Sequence, residues 1–249
     1  MSIDLQPAIA ERYQEVQNRI LRAAERAGRE PEEITLVAVT KTWPAEVVIA
    51  AHAVGMRHFG ENRAEELAEK REAVEAVLGS ESGILWHQIG TLQSRKTRYI
   101  SAHADVFHAL DRLKIARRLS NELGELDRHL PLFLEVNLSG EGSKSGFDAE
   151  NWEDDATQRQ KIRTVIQEIA QLPGLHLQGL MTMAPWQVEE QIVGDVFRRT
   201  RRLSDWLKSE LPQVPLGQLS MGMTDDFEIA IAEGATHIRV GRALFGERT

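Results

Sequence analysis

The 249-residue chain contains no cysteine, so disulfides, thiolate catalysis and thiolate metal ligands are all excluded. Basic charge is also scarce. Its 30 Lys and Arg face 38 Asp and Glu, and the net charge of −8 gives no global field to gather nucleic acid or an anionic membrane. No apolar run approaches the roughly 18–20 residues that a membrane helix needs. The N-terminus, Met1-Ser-Ile-Asp-Leu-Gln-Pro7, lacks the basic segment and apolar stretch of a secretory signal. The 8 histidines show neither a His-Glu-x-x-His run nor close ligand spacing, so no metal centre is expected. Together these absences predict a soluble, cytoplasmic protein without nucleic acid or membrane as a partner.

What is present is alternation. Pro7 to Ala27 has helical spacing, with Ile9, Tyr13, Val16, Ile20, Leu21 and Ala24 in one apolar stripe. Strand-like runs follow at residues 34–41, 57–60, 84–90, 106–110, 132–138, 175–183, 216–221 and 237–241. Helical patterns lie between them at residues 44–54, 61–78, 93–102, 112–123, 155–171, 188–211 and 225–232. Strict strand–helix alternation implies a parallel sheet. Eight strands at this length predict a closed (β/α)8 TIM barrel, a single domain over residues 1–249 with the N-terminal helix serving as the eighth. An open Rossmann-type sheet is the alternative. Ser139 to Asp155 is the longest connection, too short to link domains. Within it, Gly140-Glu-Gly-Ser-Lys-Ser-Gly146 fits neither a P-loop nor a dinucleotide fingerprint and is expected to form a mobile loop over the barrel mouth.

In such a barrel the chemistry belongs at the C-terminal ends of the strands. Lys41 ends the first strand and shares parity with Thr35, Val37 and Val39, so it is predicted to point into the mouth. A desolvated lysine there has the lowered pKa that a Schiff-base lysine needs; the plain alternative is an amine that snorkels to solvent. The second cluster is Gln218-Leu-Ser-Met-Gly-Met-Thr-Asp-Asp226, where Asp225 and Glu228 have capping-box spacing after a glycine-containing loop. With Gly241-Arg-Ala-Leu-Phe-Gly246 it forms a candidate phosphate site, against the reading of two tight turns. Arg239 has inward parity and either pairs with a barrel carboxylate such as Glu135 or faces a ligand. Arg198-Arg-Thr-Arg-Arg202 reads as a solvated helix face. Gly217-Gln-Leu-Ser-Met-Gly222 departs from a serine-hydrolase elbow.

These residues, in order, resemble the pyridoxal-phosphate homeostasis family, which is related to the barrel domain of alanine racemase. The landmarks are Ala38-Val-Thr-Lys41, Phe59-Gly-Glu-Asn62, Trp86-His-Gln-Ile-Gly90 with Leu92-Gln93, and Ser143-Lys-Ser-Gly146. Gly179-Leu-Met181, Leu219-Ser-Met-Gly-Met223 with Asp225, and Ile238-Arg-Val-Gly241 with Phe245-Gly246 complete them. The resemblance implies pyridoxal 5′-phosphate (PLP) as cofactor, held by Lys41 as an internal aldimine. It implies phosphate contacts from Ser220, Gly241 and the backbone at Arg242, with Met221 and Gly222 also among the cofactor-binding residues. Arg239 would lie near the pyridine nitrogen and Asn62 close to the cofactor. Two departures stand out. Arg242 occupies a position where a hydroxyl residue is usual, and Arg95 replaces an amide in Leu92-Gln-Ser-Arg-Lys96.

The function implied is vitamin B6 homeostasis, with PLP carried by a monomer, PLP-dependent enzymes as recipients and no catalytic residue assigned. The alternative is an amino-acid racemase of the alanine type. That enzyme adds a second domain, for which the eight residues after Gly241 leave no room. A cofactor-free lysine aldolase would leave Arg239 without a task.

Overall fold

Helix α1 (Gln6–Arg26) buries Ile9, Val16, Ile20, Ala23 and Ala24 along one stripe. Leu21, expected in that stripe, is 42% exposed, since one residue beyond Ile20 the helix has already turned its side chain off the packed face. The computed structural model describes residues 5–140 and 145–247, and counts and absences below refer to these. After α1 the elements alternate: β1 (Thr35–Val39), α2 (Ala45–Ala53), β2 (His58–Glu61), α3 (Ala64–Leu78), β3 (Leu85–Gln88), α4 (Thr97–His103), β4 (Val106–Leu110) and α5 (Leu113–Leu126). Then come β5 (Leu130–Asn137), β6 (Phe147–Asp148), α6 (Ala156–Ala170), β7 (Leu175–Met181), α7 (Glu190–Glu210), β8 (Gln218–Ser220), α8 (Phe227–Ala232), β9 (His237–Val240) and α9 (Arg242–Phe245).

The strands run in the order β4-β3-β2-β1-β9-β8-β7-β5, and pairing of β4 with β5 closes the sheet. Every pairing is parallel. The result is an eight-stranded parallel barrel with flanking helices, not an open sheet. Helix α1 packs against α2, α8 and α9, filling the outer ring before the first strand.

Three expectations need correction. The first strand stops at Val39, so Lys41 lies in the following turn, where Thr42 takes φ 68° and Trp43 N–H closes onto Thr40 O at 2.9 Å. Strand parity therefore does not reach Lys41. Helix α8 begins at Phe227, because Asp226 Oδ1 accepts from Met223 N–H and closes a turn ahead of it; Asp225 is not the cap and turns toward Arg242. The short strand β6, not expected from sequence, pairs with Val136 and Asn137 of β5. The Gly140–Gly146 loop expected over the mouth lies largely outside the described residues.

The two faces of the barrel wall differ in chemistry. Between wall and helices the packing is mainly apolar, with Phe59 and Trp86 in tilted ring contact and Leu67 and Ile100 fully buried. Inside the barrel the layers that branched aliphatics usually fill are instead polar: His87, His108, Glu135, Ser220 and Arg239 are all buried there.

Candidate functional site

The register of β1 against β9 sets the rim. Ala38 pairs with Val240, and a Cβ on Gly241 would lie 3.2 Å from Val39 O. The turn bearing Lys41 thus leaves the wall beside the Gly241–Arg242 loop. Val39, Trp43, Gly241, Arg242, Gly246 and Glu247 line a pocket of about 400 Å³ between them. Of the sequence-predicted site residues, Lys41, Gly241 and Arg242 gather at this rim. Asn62 follows β2, exposed, with its carbonyl held by Gln88 Nε2 at 3.0 Å.

Loop β8–α8 supplies the neighbouring wall. Met221 is fully buried and its N–H donates to His237 O at 3.0 Å. Gly222 takes φ 96°, and a Cβ there would meet Ala230 Cβ at 2.6 Å, so both the turn and its seat on α8 require glycine. Gly222 O in turn accepts from Arg239 N–H at 2.9 Å. Arg242 crosses to this loop and pairs with both carboxylate oxygens of Asp225.

Beneath the rim lies Arg239, 4% exposed. Its Nη1 donates to Ser220 Oγ at 2.6 Å and its Nη2 to Thr182 O at 2.9 Å. Among the described residues no hydrogen bond joins it to Glu135, the partner proposed from sequence; the carboxylates of Asp226 and Glu135 act on it through space. Burial lowers its pKa to about 10, which leaves it a cation at neutral pH. Glu135 is pushed up to about 7 by burial and by the charge of Asp111, and its Oε2 has no hydrogen-bond partner.

Residues 12–249 match the family described as alanine racemase, N-terminal domain. A pyridoxal phosphate homeostasis protein of Pseudomonas aeruginosa is 42% identical over 241 residues, 96% of each chain. Its counterpart in Escherichia coli strain K12 is 38% identical, over 96% of this chain and 97% of that one. The chain belongs to the pyridoxal phosphate homeostasis protein family. Among solved structures, PipY of Synechococcus elongatus with PLP bound superposes with TM-score 0.79 at 34% identity, covering 96% of this chain and 100% of that one.

Two features of this member were not read from the sequence. One is a buried polar knot under the Lys41 turn. Lys70 Nζ donates to Glu61 Oε1 at 2.6 Å, to Glu66 Oε1 at 3.0 Å and to Thr40 O at 2.9 Å. Thr40 Oγ1 also donates to Glu61, and Thr42 N–H to Glu66. Lys70 shares a helical stripe with Leu67 and Val74, a signal that a lysine there is buried. The other is a file of histidines inside the barrel, described below. Of the two departures from the family pattern, Arg242 has its partner in Asp225. Arg95 is exposed on the rim near Glu65, and nothing in the structure explains it.

Proposed function

We propose that this chain binds PLP reversibly at Lys41 and serves its homeostasis in the cytoplasm without robust catalysis. The observation that carries the reading is the buried cation Arg239, anchored on Ser220 and Thr182, below a rim formed by Lys41 and the Gly241–Arg242 loop. The residues present fit the group. An amine stands at the rim, two glycine-containing turns adjoin it, and Glu135 Oε2 is a buried polar atom that none of the described residues satisfies. The homologues' name and PipY's PLP-bound form support the same cofactor.

When bound, PLP supplies an aldehyde that condenses with an amine and a ring that withdraws electrons. The chain's own groups then divide the work. Lys41 Nζ would be the point of attachment. Gly222, Gly241 and the backbone at Arg242 would receive the phosphate, with Met221 and Asn62 bordering the site. The Ser220 hydroxyl already accepts from Arg239, so in this arrangement its part in phosphate binding is indirect. Arg239 would face the ring nitrogen. A guanidinium that stays protonated keeps that nitrogen from gaining a proton, which weakens the ring as an electron sink and favours carrying over turnover. Transfer to PLP-dependent enzymes by a monomer completes the proposal.

A racemase is the rival. Alanine racemase from Corynebacterium glutamicum has the same barrel at 16% identity and TM-score 0.66, a likeness of fold alone. Purified protein incubated with PLP should develop visible absorbance, and borohydride should fix the label on the Lys41 peptide. Lys41→Ala should remove that label and leave the circular dichroism unchanged. Protein that stays colourless would refute the reading, and robust alanine racemisation would replace the carrier with the enzyme.

A further inference from the structure

Three imidazoles, from β2, β3 and β4, cross the barrel in one hydrogen-bonded file. His58 Nδ1 lies 3.0 Å from His87 Nε2, and His87 Nδ1 lies 2.8 Å from His108 Nε2. His108 Nδ1 lies 2.7 Å from Ser220 Oγ, the atom that accepts from Arg239. His87, His108, Ser220 and Arg239 are each at most 4% exposed, which leaves bulk water unable to replace a missing partner.

Counting donors fixes the protons. A guanidinium can only donate, so Ser220 Oγ accepts from Arg239. Among the described residues the hydroxyl's own proton has one acceptor, His108 Nδ1. His108 then carries its proton on Nε2 and donates to His87 Nδ1. His87 donates from Nε2 to His58 Nδ1, and His58 keeps its proton on Nε2 at the far end. The opposite polarity would bury the Ser220 proton without an acceptor. In the favoured polarity the Nδ1 lone pairs point back along the file toward the Arg239 cation, so the dipoles stabilise it.

We propose that His58, His87 and His108 form a polarised positioning relay that fixes the Ser220 hydroxyl as an acceptor for Arg239 and so holds the guanidinium in place for the PLP ring. The relay rests on the PLP reading only in that last step. Its surroundings keep it neutral. His237 of β9 lies edge-on to His108 at 5.7 Å and tilted against His87 at 6.4 Å, and Phe133 of β5 stacks on His108 at 4.6 Å. The charged groups nearby are Arg239 of β9, Glu135 of β5 and Asp226 ahead of α8, and the two carboxylates act on Arg239. Burial and mutual repulsion hold His87 and His108 far below the usual imidazole pKa. Simple polar filling of a barrel would not require one tautomer throughout.

The first test uses ligand-free protein with ¹⁵N-labelled histidine. From about pH 5.5 to 8, NMR should find His87 and His108 as neutral Nε2–H tautomers. A proton on His108 Nδ1, or a second proton taken up in that range, would overturn the relay. Ser220→Ala should leave His108 a mixture of tautomers; an unchanged signature would count against the proposal. The second test titrates PLP. His108→Leu should weaken binding about tenfold, the value of roughly one hydrogen bond, and shift the bound absorption maximum. His108→Asn should restore both, because its side-chain oxygen can accept from Ser220. A folded His108→Leu protein with unchanged affinity and spectrum would sink the positioning role, and Ser220→Ala carries the same comparison if that variant does not fold. If the unmodified protein takes up no PLP, the functional reading fails, while the tautomer experiment still decides the relay.

Discussion

At the scale of single residues, two lysines lie close together around the β1–α2 turn in different surroundings. Lys70 is 6% exposed and its amine donates to two carboxylates and the Thr40 carbonyl, so its three donors are all engaged inside the fold. Lys41 is the lysine proposed above for covalent attachment. Lys70 also supports it, since Thr40 O and the Glu66 oxygen that receives Thr42 N–H are both its partners. Glu61 in this knot is fully buried, and burial outweighs Lys70 to raise its pKa to about 7. Lys70→Ala would leave that carboxylate buried with Thr40 alone. Removing one member of a buried pair costs about 3–5 kcal/mol. Urea unfolding of Lys70→Ala should register a loss of that order at neutral pH, and Glu61→Gln added to it should recover part. Additive losses from the two changes would mean the pair is not coupled.

Among the elements, β7 and β8 leave no room for a side chain at Gly179. A Cβ on Gly179 would fall 1.7 Å from Gln218 O of β8, and the β5–β7 register shifts one residue just before it. The contact is with backbone, so no side-chain rotation relieves it. Gly179→Ala should destabilise the fold by at least about 3 kcal/mol, beyond ordinary overpacking, because β7 and β8 must separate. A thermal midpoint close to that of the unmodified protein would contradict this. The same elements reveal how far the sequence could be read. Strand and helix order was legible because hydrophobic period changes cleanly between 2 and 3.6 along the chain. Ends were less so. The turn at Thr40–Trp43 depends on Glu66 from a different element, and the start of α8 depends on the carboxylate just ahead of it accepting from a backbone N–H three residues earlier. Nor did β6 carry a local signal, since two residues become a strand only by pairing with β5. The closeness of Lys41 to the Gly241–Arg242 loop follows from the β1–β9 pairing, although Lys41 itself lies in the turn beyond the strand end that the sequence suggested. The histidine file was not read, although His58, His87 and His108 stand on three successive strands. Each strand has only its own parity, and the file exists only once three parities are aligned along the barrel wall.

For the molecule as a whole, the polar interior makes stability depend on pH through two opposed sets of groups. Burial lowers His87, His108 and His237, the last to about 4. Below the unfolded pKa of about 6.5 the unfolded chain takes up protons that the folded barrel refuses, so these histidines destabilise the fold as pH falls from 6.5 toward 4. Burial raises Glu61 and Glu135 to about 7. Between 7 and the ordinary glutamate value near 4.5, the folded state holds protons that the unfolded chain releases, so these carboxylates stabilise the fold as pH falls through that window. The two sets offset one another, and the stability curve of the unmodified protein should be flatter than either set alone would give. Variants separate them. His237→Phe keeps an aromatic ring beside Phe133 and removes one refused proton, so its stability should rise relative to the unmodified protein as pH drops from about 6.5 to 4.5. Glu135→Gln removes one retained proton, so its stability should fall more steeply over the same range while gaining at about pH 7.5. Chemical denaturation at each pH measures both. If the three curves run parallel between pH 4.5 and 6.5, these buried groups do not govern the acid response, and the barrel interior is better solvated than its burial implies.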